Sequence, residues 1–233
     1  MSELSLFDAI YAQRAIRRFR PDPIPQEVLE RILNAAIHAP SGGNSQPWSF
    51  LVVTGQSLKD QLGVWYQDVW ENIYTKSRGA AKGPVWESAE YLAYNFAKSP
   101  AVVLPCIKGK PDDPMTKGAS IYPAVQNMML AALALGIGSV ITTFLQHHEQ
   151  EVKDLLGMPA DIRMACAVPM GYPGEGEHFG GARRKPLHEV VHFNGWGKSA
   201  PLAYCPHTLR SRTRRTGAPL SRAPVLLSVS WEG

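Results

Sequence analysis

Apolar residues along this chain recur at helical spacing in some stretches and in short unbroken runs in others, and the two patterns alternate. Leu6, Phe7 and Ile10 share one helical face and predict a short first helix. Pro25 opens a second, with Gln26 and Glu27 in the first turn, where polar and acidic groups suit the helix dipole. Val28, Leu29, Ile32, Leu33, Ala36 and Ile37 form its apolar face, and Pro40 ends it. "WSFLVV" (48–53) reads as a buried strand. Residues 57–98 read as helical and carry an unusual load of aromatics between Trp65 and Phe96. "AVVLPCI" (101–107) predicts a second strand. Residues 119–135 predict a helix apolar nearly all round, hence buried on most faces, with Gly136 and Gly138 as its stop. "SVITTF" (139–144) predicts a third strand, and a helix follows from about His148 to Leu156. "IRMACAVPMGYPGEG" predicts a strand running into a Gly/Pro loop, and "RRKPLHEVVHF" a basic and then β-branched arm. Alternating strands and helices favour a sheet covered by helices, in an α+β or α/β arrangement.

Composition narrows the class. A chain of 233 residues with 45% hydrophobic and 19% charged positions has ample material for one buried core. No apolar run approaches the roughly 18 residues of a membrane span, and "MSELSLFDAI" lacks a secretory pattern. Cys106, Cys166 and Cys205 have no metal-like spacing, and the first two sit in apolar runs, as buried thiols do. A cytoplasmic protein is expected. The net charge of +4 is confined to one end. Five of the 24 basic residues and one of the 20 acidic ones lie beyond residue 198, leaving 19 of each before it. The body therefore has no charge excess to attract nucleic acid. After Trp196 the chain turns Pro-, Ser- and Arg-rich, so a folded domain is expected over 1–197 and a mobile extension over 198–233.

The sharpest string match misleads. His188-Glu189-Val190-Val191-His192 satisfies the H-E-x-x-H zinc pattern, which needs a helix to bring both imidazoles to one face. Pro186 upstream and the paired valines favour an extended arm instead, in which four residues span about 13 Å. No metal site is expected there. What remains is a scatter of arginines and polar loops: Arg14, Arg17 and Arg18; Ser41, Asn44 and Gln46; Arg183, Arg184 and Lys185. Arginine suits phosphate through paired charge-assisted bonds, although any single one reads first as solvated surface. "APSGGNSQPWSF" (39–50) reads equally as a plain turn or as a loop cradling a ligand, its glycines permitting close backbone approach.

Taken together, "QRAIRRFRPDPIP", "APSGGNSQPW", "YPAVQNMMLAALALGIGS", "VPMGYPGEG" and "RRKPLHEVVHF" occur in the order and spacing of the FMN-dependent nitroreductase family, which the chain resembles over about residues 4–197. The resemblance implies an α+β nitroreductase-like fold, a central mostly antiparallel sheet flanked by helices, and FMN at a homodimer interface. By that likeness Gln13, Arg14, Ala15 and Arg17 fall on the motif for the FMN phosphate and ribityl oxygens. Family members often have Arg and Ser where this chain has Gln13 and Ala15, so two polar contacts are weakened. Pro40, Ser41, Gly42, Asn44 and Gln46 fall on the loop that lines the isoalloxazine from the partner subunit, with Pro47 and Trp48 completing its pattern. Val168, Met170 and Gly171 fall on the segment whose backbone N–H reaches flavin N5. Arg184, with Arg183 beside it, falls on the terminal phosphate motif. The implied activity is ping-pong electron transfer from NAD(P)H to a small flat acceptor, a nitroaromatic or quinone. Reductive dehalogenation, flavin or enone reduction, and non-catalytic flavin sequestration are the alternatives. Since the flavin carries such chemistry, no side-chain base is required.

Overall fold

The computed structural model describes residues 4–78, 83–109 and 115–198, with the side chains of 78 and 115–117 left aside. The chain divides into two compact units, residues 1–183 and 184–233. In the first, Ser5 caps α1 (Leu6–Ala12) by accepting from the Asp8 N–H. Helix α2 (Gln26–Ile37) and strand β1 (Trp48–Val53) follow as their patterns predict. Helix α3 (Gln56–Val69) runs through one π-helical turn (Trp70–Tyr74) into α4 (Thr75–Arg78). Then come α5 (Pro84–Asn95), β2 (Ala101–Lys108), α6 (Met115–Ala134), β3 (Gly138–Ser139), α7 (Glu149–Leu156), β4 (Ile162–Met164) and β5 (Val168–Gly171).

All strand pairings are antiparallel, in the order β1-β2-β5-β3, with β4 also on β2. Strand β2 shows period two. Ala101, Val103 and Ile107 face a largely aliphatic core with α2 and α6, while Val102, Leu104 and Cys106 face an aromatic one with α3 and α5. Cys106 and Cys166 thus lie in opposite cores, and burial first of all pushes each thiol up to about 12.

Three stretches depart from the pattern. The run from 162 to 171 is two strands, because the register against β2 slips by one residue between Cys106↔Met164 and Val103↔Val168. The slip falls opposite Pro105, which has no N–H to offer and only accepts, from the Ala165 N–H at 2.9 Å. Proline inside a sheet is confined to such bulges. "SVITTF" forms only the short β3 and one further bridge, Thr142↔Ala167, before a 3₁₀ turn at Phe144–His148. Its backbone serves two partners in succession: the Ser139 carbonyl accepts from the Ile16 N–H, and Thr142 pairs with Ala167. Finally, Leu6 and Phe7 of α1 remain 65% exposed, joined by Ile10 and Tyr11, so this helix turns an apolar face outward.

The aromatics of 65–96 are mostly core. Tyr66, Trp70 and Phe96 are buried, and Trp70, Tyr74, Trp86 and Phe144 stack on one another. Tyr91 lies under the Arg18 guanidinium, 3.8 Å from its ring centre. In the second unit, the arm makes a single 3₁₀ turn at Leu187–Glu189, and the His192 ring packs on Trp196. The H-E-x-x-H string is therefore neither the extended arm expected nor an α-helix. The extension beyond Lys198 lies outside the described residues.

Candidate functional site

Segment 12–20 lies across the ends of β3 and β5. Two glycines paired in register, Gly138 and Gly171, make the floor on which it rests. A Cβ at Gly138 would come within 2.7 Å of Ile16, and one at Gly171 within 2.6 Å of Pro100 and 2.9 Å of Phe19. Contacts that short are not tolerated, so the missing side chains seat Ile16 and Phe19. With those two apolar anchors down, the intervening arginines have their direction set.

A loop after β5 then laces the segment in place. The Arg20 N–H donates to the Tyr172 carbonyl, Gly174 N–H to the Arg18 carbonyl, and Gly180 N–H to the Ala12 carbonyl. One Glu177 carboxylate oxygen accepts from two successive backbone N–H groups, of Arg17 (3.4 Å) and Arg18 (3.2 Å). Arg14 donates to the Gly180 carbonyl at 3.2 Å and lies 3.1 Å from His178 Nε2. Gln13 accepts from Gln126 of α6 at 2.7 Å, so its side chain is committed to the helix beside it. Ala15 is half-buried against the aromatic core.

Arg17 stands apart from its neighbours. Its side chain is half-buried, yet among the described residues its guanidinium makes no hydrogen bond and no ion pair. Burial lowers its pKa, while the nearby Tyr66, Glu177 and Tyr74 side chains pull the other way and Arg14 adds to the lowering. The guanidinium stays charged regardless. Tyr66, whose hydroxyl is bonded to Thr142 Oγ1 at 3.0 Å, is held neutral: burial first of all pushes it up to about 12. A desolvated cation without an anion is costly, and a second cation close by raises the cost. An anionic group with several oxygens fits this donor set, and a phosphate fits it best.

The loop 40–47 is the other candidate element. Gly43, Asn44 and Gln46 all take positive φ, at 59°, 52° and 46°, whereas Gly42 does not. Its Pro47 end is tied to β2, where the Pro47 carbonyl accepts from the Lys108 N–H at 3.0 Å. Over 41–46 the hydrogen bonds among the described residues are internal, the Gln46 N–H donating to Ser41 Oγ at 3.0 Å and the Gln46 amide to Asn44 Oδ1 at 3.3 Å. Pro40 and residues 42–46 are exposed, and a Cβ at Gly42 or Gly43 would meet nothing within 4 Å. In β5, Val168 and Met170 are fully buried, and Met170 pairs with both Ala101 and Ser139. Arg183 ends the first unit, and Arg184 begins the second; both are exposed.

Glu177, His178 and Gly180 were not singled out by sequence. Their partners lie about 160 residues away, and no local pattern announces them.

Comparison with known proteins bears on the family and the fold. The family model described as "Nitroreductase family" matches residues 10–172. An iodotyrosine deiodinase from Thermotoga neapolitana is 31% identical over 186 residues, covering 80% of this chain and 95% of that protein. An NADH dehydrogenase from Thermus thermophilus is 28% identical over 199 residues, covering 78% and 93%. The crystal structure of an oxidised iodotyrosine deiodinase bound to FMN and 3-iodo-L-tyrosine superposes with a TM-score of 0.67 at 26% identity, over 82% of this chain and all of that one. With more than half of its length matched by the family model and the antiparallel sheet flanked by helices in place, the chain belongs to the nitroreductase family.

Proposed function

We propose that the protein is an FMN-dependent oxidoreductase that passes electrons from NAD(P)H to a small flat acceptor, working as a homodimer in the cytoplasm. The observation that carries this reading is Arg17, a half-buried guanidinium without an anion, set beside Arg14. FMN supplies the hydride and electron chemistry when bound. Arg17 and Arg14 would hold its phosphate, with Gln13 and Ala15 at the edge. Each charge-assisted contact is worth roughly 1.5–3 kcal/mol. Ser41, Asn44 and Gln46 would offer hydrogen bonds to the ring edge from the other subunit, with Pro40 and Gly42 shaping that loop. The β5 segment Val168–Gly171 would present a backbone N–H to the ring. The outward apolar face of α1 supports dimerisation, since exposed Leu6, Phe7 and Ile10 form a contiguous patch on a single helix.

Reductive dehalogenation is the second reading, favoured by the 31% identity to a deiodinase and by the match to a deiodinase crystal structure. One experiment separates them. Purified protein is loaded with FMN and reduced anaerobically, with NADH, NADPH or dithionite. It is then mixed with a nitroaromatic, a quinone or 3-iodo-L-tyrosine. Reduction by NAD(P)H and reoxidation by the first two acceptors supports the primary reading. Dithionite-dependent release of iodide with no response to NAD(P)H supports the second. Tight FMN without turnover under any pairing would indicate flavin sequestration.

A further inference from the structure

The loop that closes over segment 12–20 contains one contact that neither reading uses. Arg14 Nη1 donates to the Gly180 carbonyl and also lies 3.1 Å from His178 Nε2. A guanidinium has donors only, so the imidazole nitrogen must be the acceptor, and the ring in this arrangement is neutral with its proton on Nδ1. Protonation would turn N–H against N–H and set two cations side by side.

The charges around His178 are few. Segment 13–20 contributes Arg14, Arg17, Arg18 and Arg20, the last two lying over Tyr91 and Tyr172 and Arg20 paired with Asp22. Its own loop contributes Glu175, Glu177 and, further on, Arg183. The Glu177 carboxylate is already committed to the Arg17 and Arg18 N–H groups. The His178 side chain is exposed and can turn without repacking the core. Gly181 keeps the ground beside the pair open: a Cβ there would stand 3.9 Å from both Arg14 Nη1 and His178 Nε2.

We infer that His178 is a proton-linked ligand of the cofactor phosphate, an inference that rests on the FMN reading above. With no anion present it is neutral and accepts from Arg14. When a phosphate dianion lies between Arg14 and Arg17, one proton enters from solvent at Nε2, and the imidazolium donates to a phosphate oxygen. Arg14 then has that N–H released for the same anion. Histidine changes charge between about pH 5 and 8, so the exchange falls in the working range. The sign follows directly: the bound state holds more protons, so affinity is greatest at the acid end of that range and declines as pH rises through it.

The test is calorimetric titration of apo-protein between about pH 6 and 8, in buffers of different ionisation enthalpy, with FMN and with riboflavin. Wild type is compared with His178→Gln, whose amide oxygen still accepts from Arg14 but cannot be protonated. Proton exchange on the phosphate itself is common to both proteins and cancels. Wild type should take up more protons than the variant on binding FMN but not on binding riboflavin. The ratio of their FMN affinities should rise about three- to tenfold from pH 8 to 6. Equal proton uptake, with FMN bound by both, overturns the inference. So does a difference that persists with riboflavin, which has no phosphate. Failure of wild type to bind either flavin would instead remove the FMN reading on which it rests.

Discussion

Segment 12–20 and loop 40–47 carry the same kind of side chains toward the same proposed ligand, yet they are built differently. The first is finished within one chain. Ile16 and Phe19 sit on bare glycines, three backbone groups are tied to the backbone of the loop after β5, and Glu177 clamps two N–H groups at once. The second is tied to the sheet at Pro47, but over 41–46 its hydrogen bonds among the described residues are its own, with three residues at positive φ and an exposed surface. A backbone twist on a non-glycine such as Gln46 costs about 1 kcal/mol and needs something to repay it. No contact found among the described residues does so. The difference is the one our proposal requires, in which one chain makes the phosphate half of the site and a second subunit completes the ring half.

The largest effect should come from Arg17→Ala. FMN affinity should fall about tenfold to more than a hundredfold, with riboflavin affinity little changed. Because this guanidinium ties nothing else down, the melting temperature of apo-protein should hold or rise. A large loss of apo stability would show that Arg17 is structural. Arg14→Ala is expected to weaken FMN too, but also to loosen the loop at Gly180.

Next is Phe7→Asp, which puts a charge on the outward face of α1 without touching either arginine. Burying one Phe side chain is worth about 1.5–3 kcal/mol, and a symmetric interface contains it twice. Sedimentation should show monomers, and FMN affinity should fall by about tenfold or more. A monomer that binds FMN as tightly as the dimer would mean that loop 40–47 of the partner takes no part.

Gln46→Gly sharpens the same point with a smaller effect. Relief at φ 46° should stabilise apo-protein by about 0.5 kcal/mol, net of the entropy of glycine. FMN affinity should fall severalfold as the amide is lost. If apo stability drops instead, the loop is not strained and the comparison fails. The smallest effect is expected from ending the chain after Lys198: dimer, flavin and melting temperature should stay as they are. A lower melting temperature with loss of the dimer would make the basic extension part of the fold.

Much of the scaffold was legible, for physical reasons that also mark the limits. Strand β2 and helix α6 announce themselves because burial on both sides demands unbroken apolar sequence. Gly136 stops α6 as read, at φ 77°, but Gly138 does something periodicity cannot report: it makes room for Ile16. The break between β4 and β5 follows from a missing N–H at Pro105, on a neighbouring strand far away in sequence. Arg14 and Arg17 could be proposed from resemblance, whereas Glu177 and His178 could not, because their roles exist only once the loop has folded back. The apolar face of α1 reads as core from its spacing, yet it is exposed in the folded chain.

The central claim is that this chain binds FMN through the cationic pair of segment 12–20. The most direct measurement is the visible absorption spectrum of the purified protein, with its flavin released and quantified. About one FMN per chain is expected, and apo-protein should regain the spectrum and a higher melting temperature when FMN is added. Colourless protein that neither takes up FMN nor is stabilised by it would contradict the account.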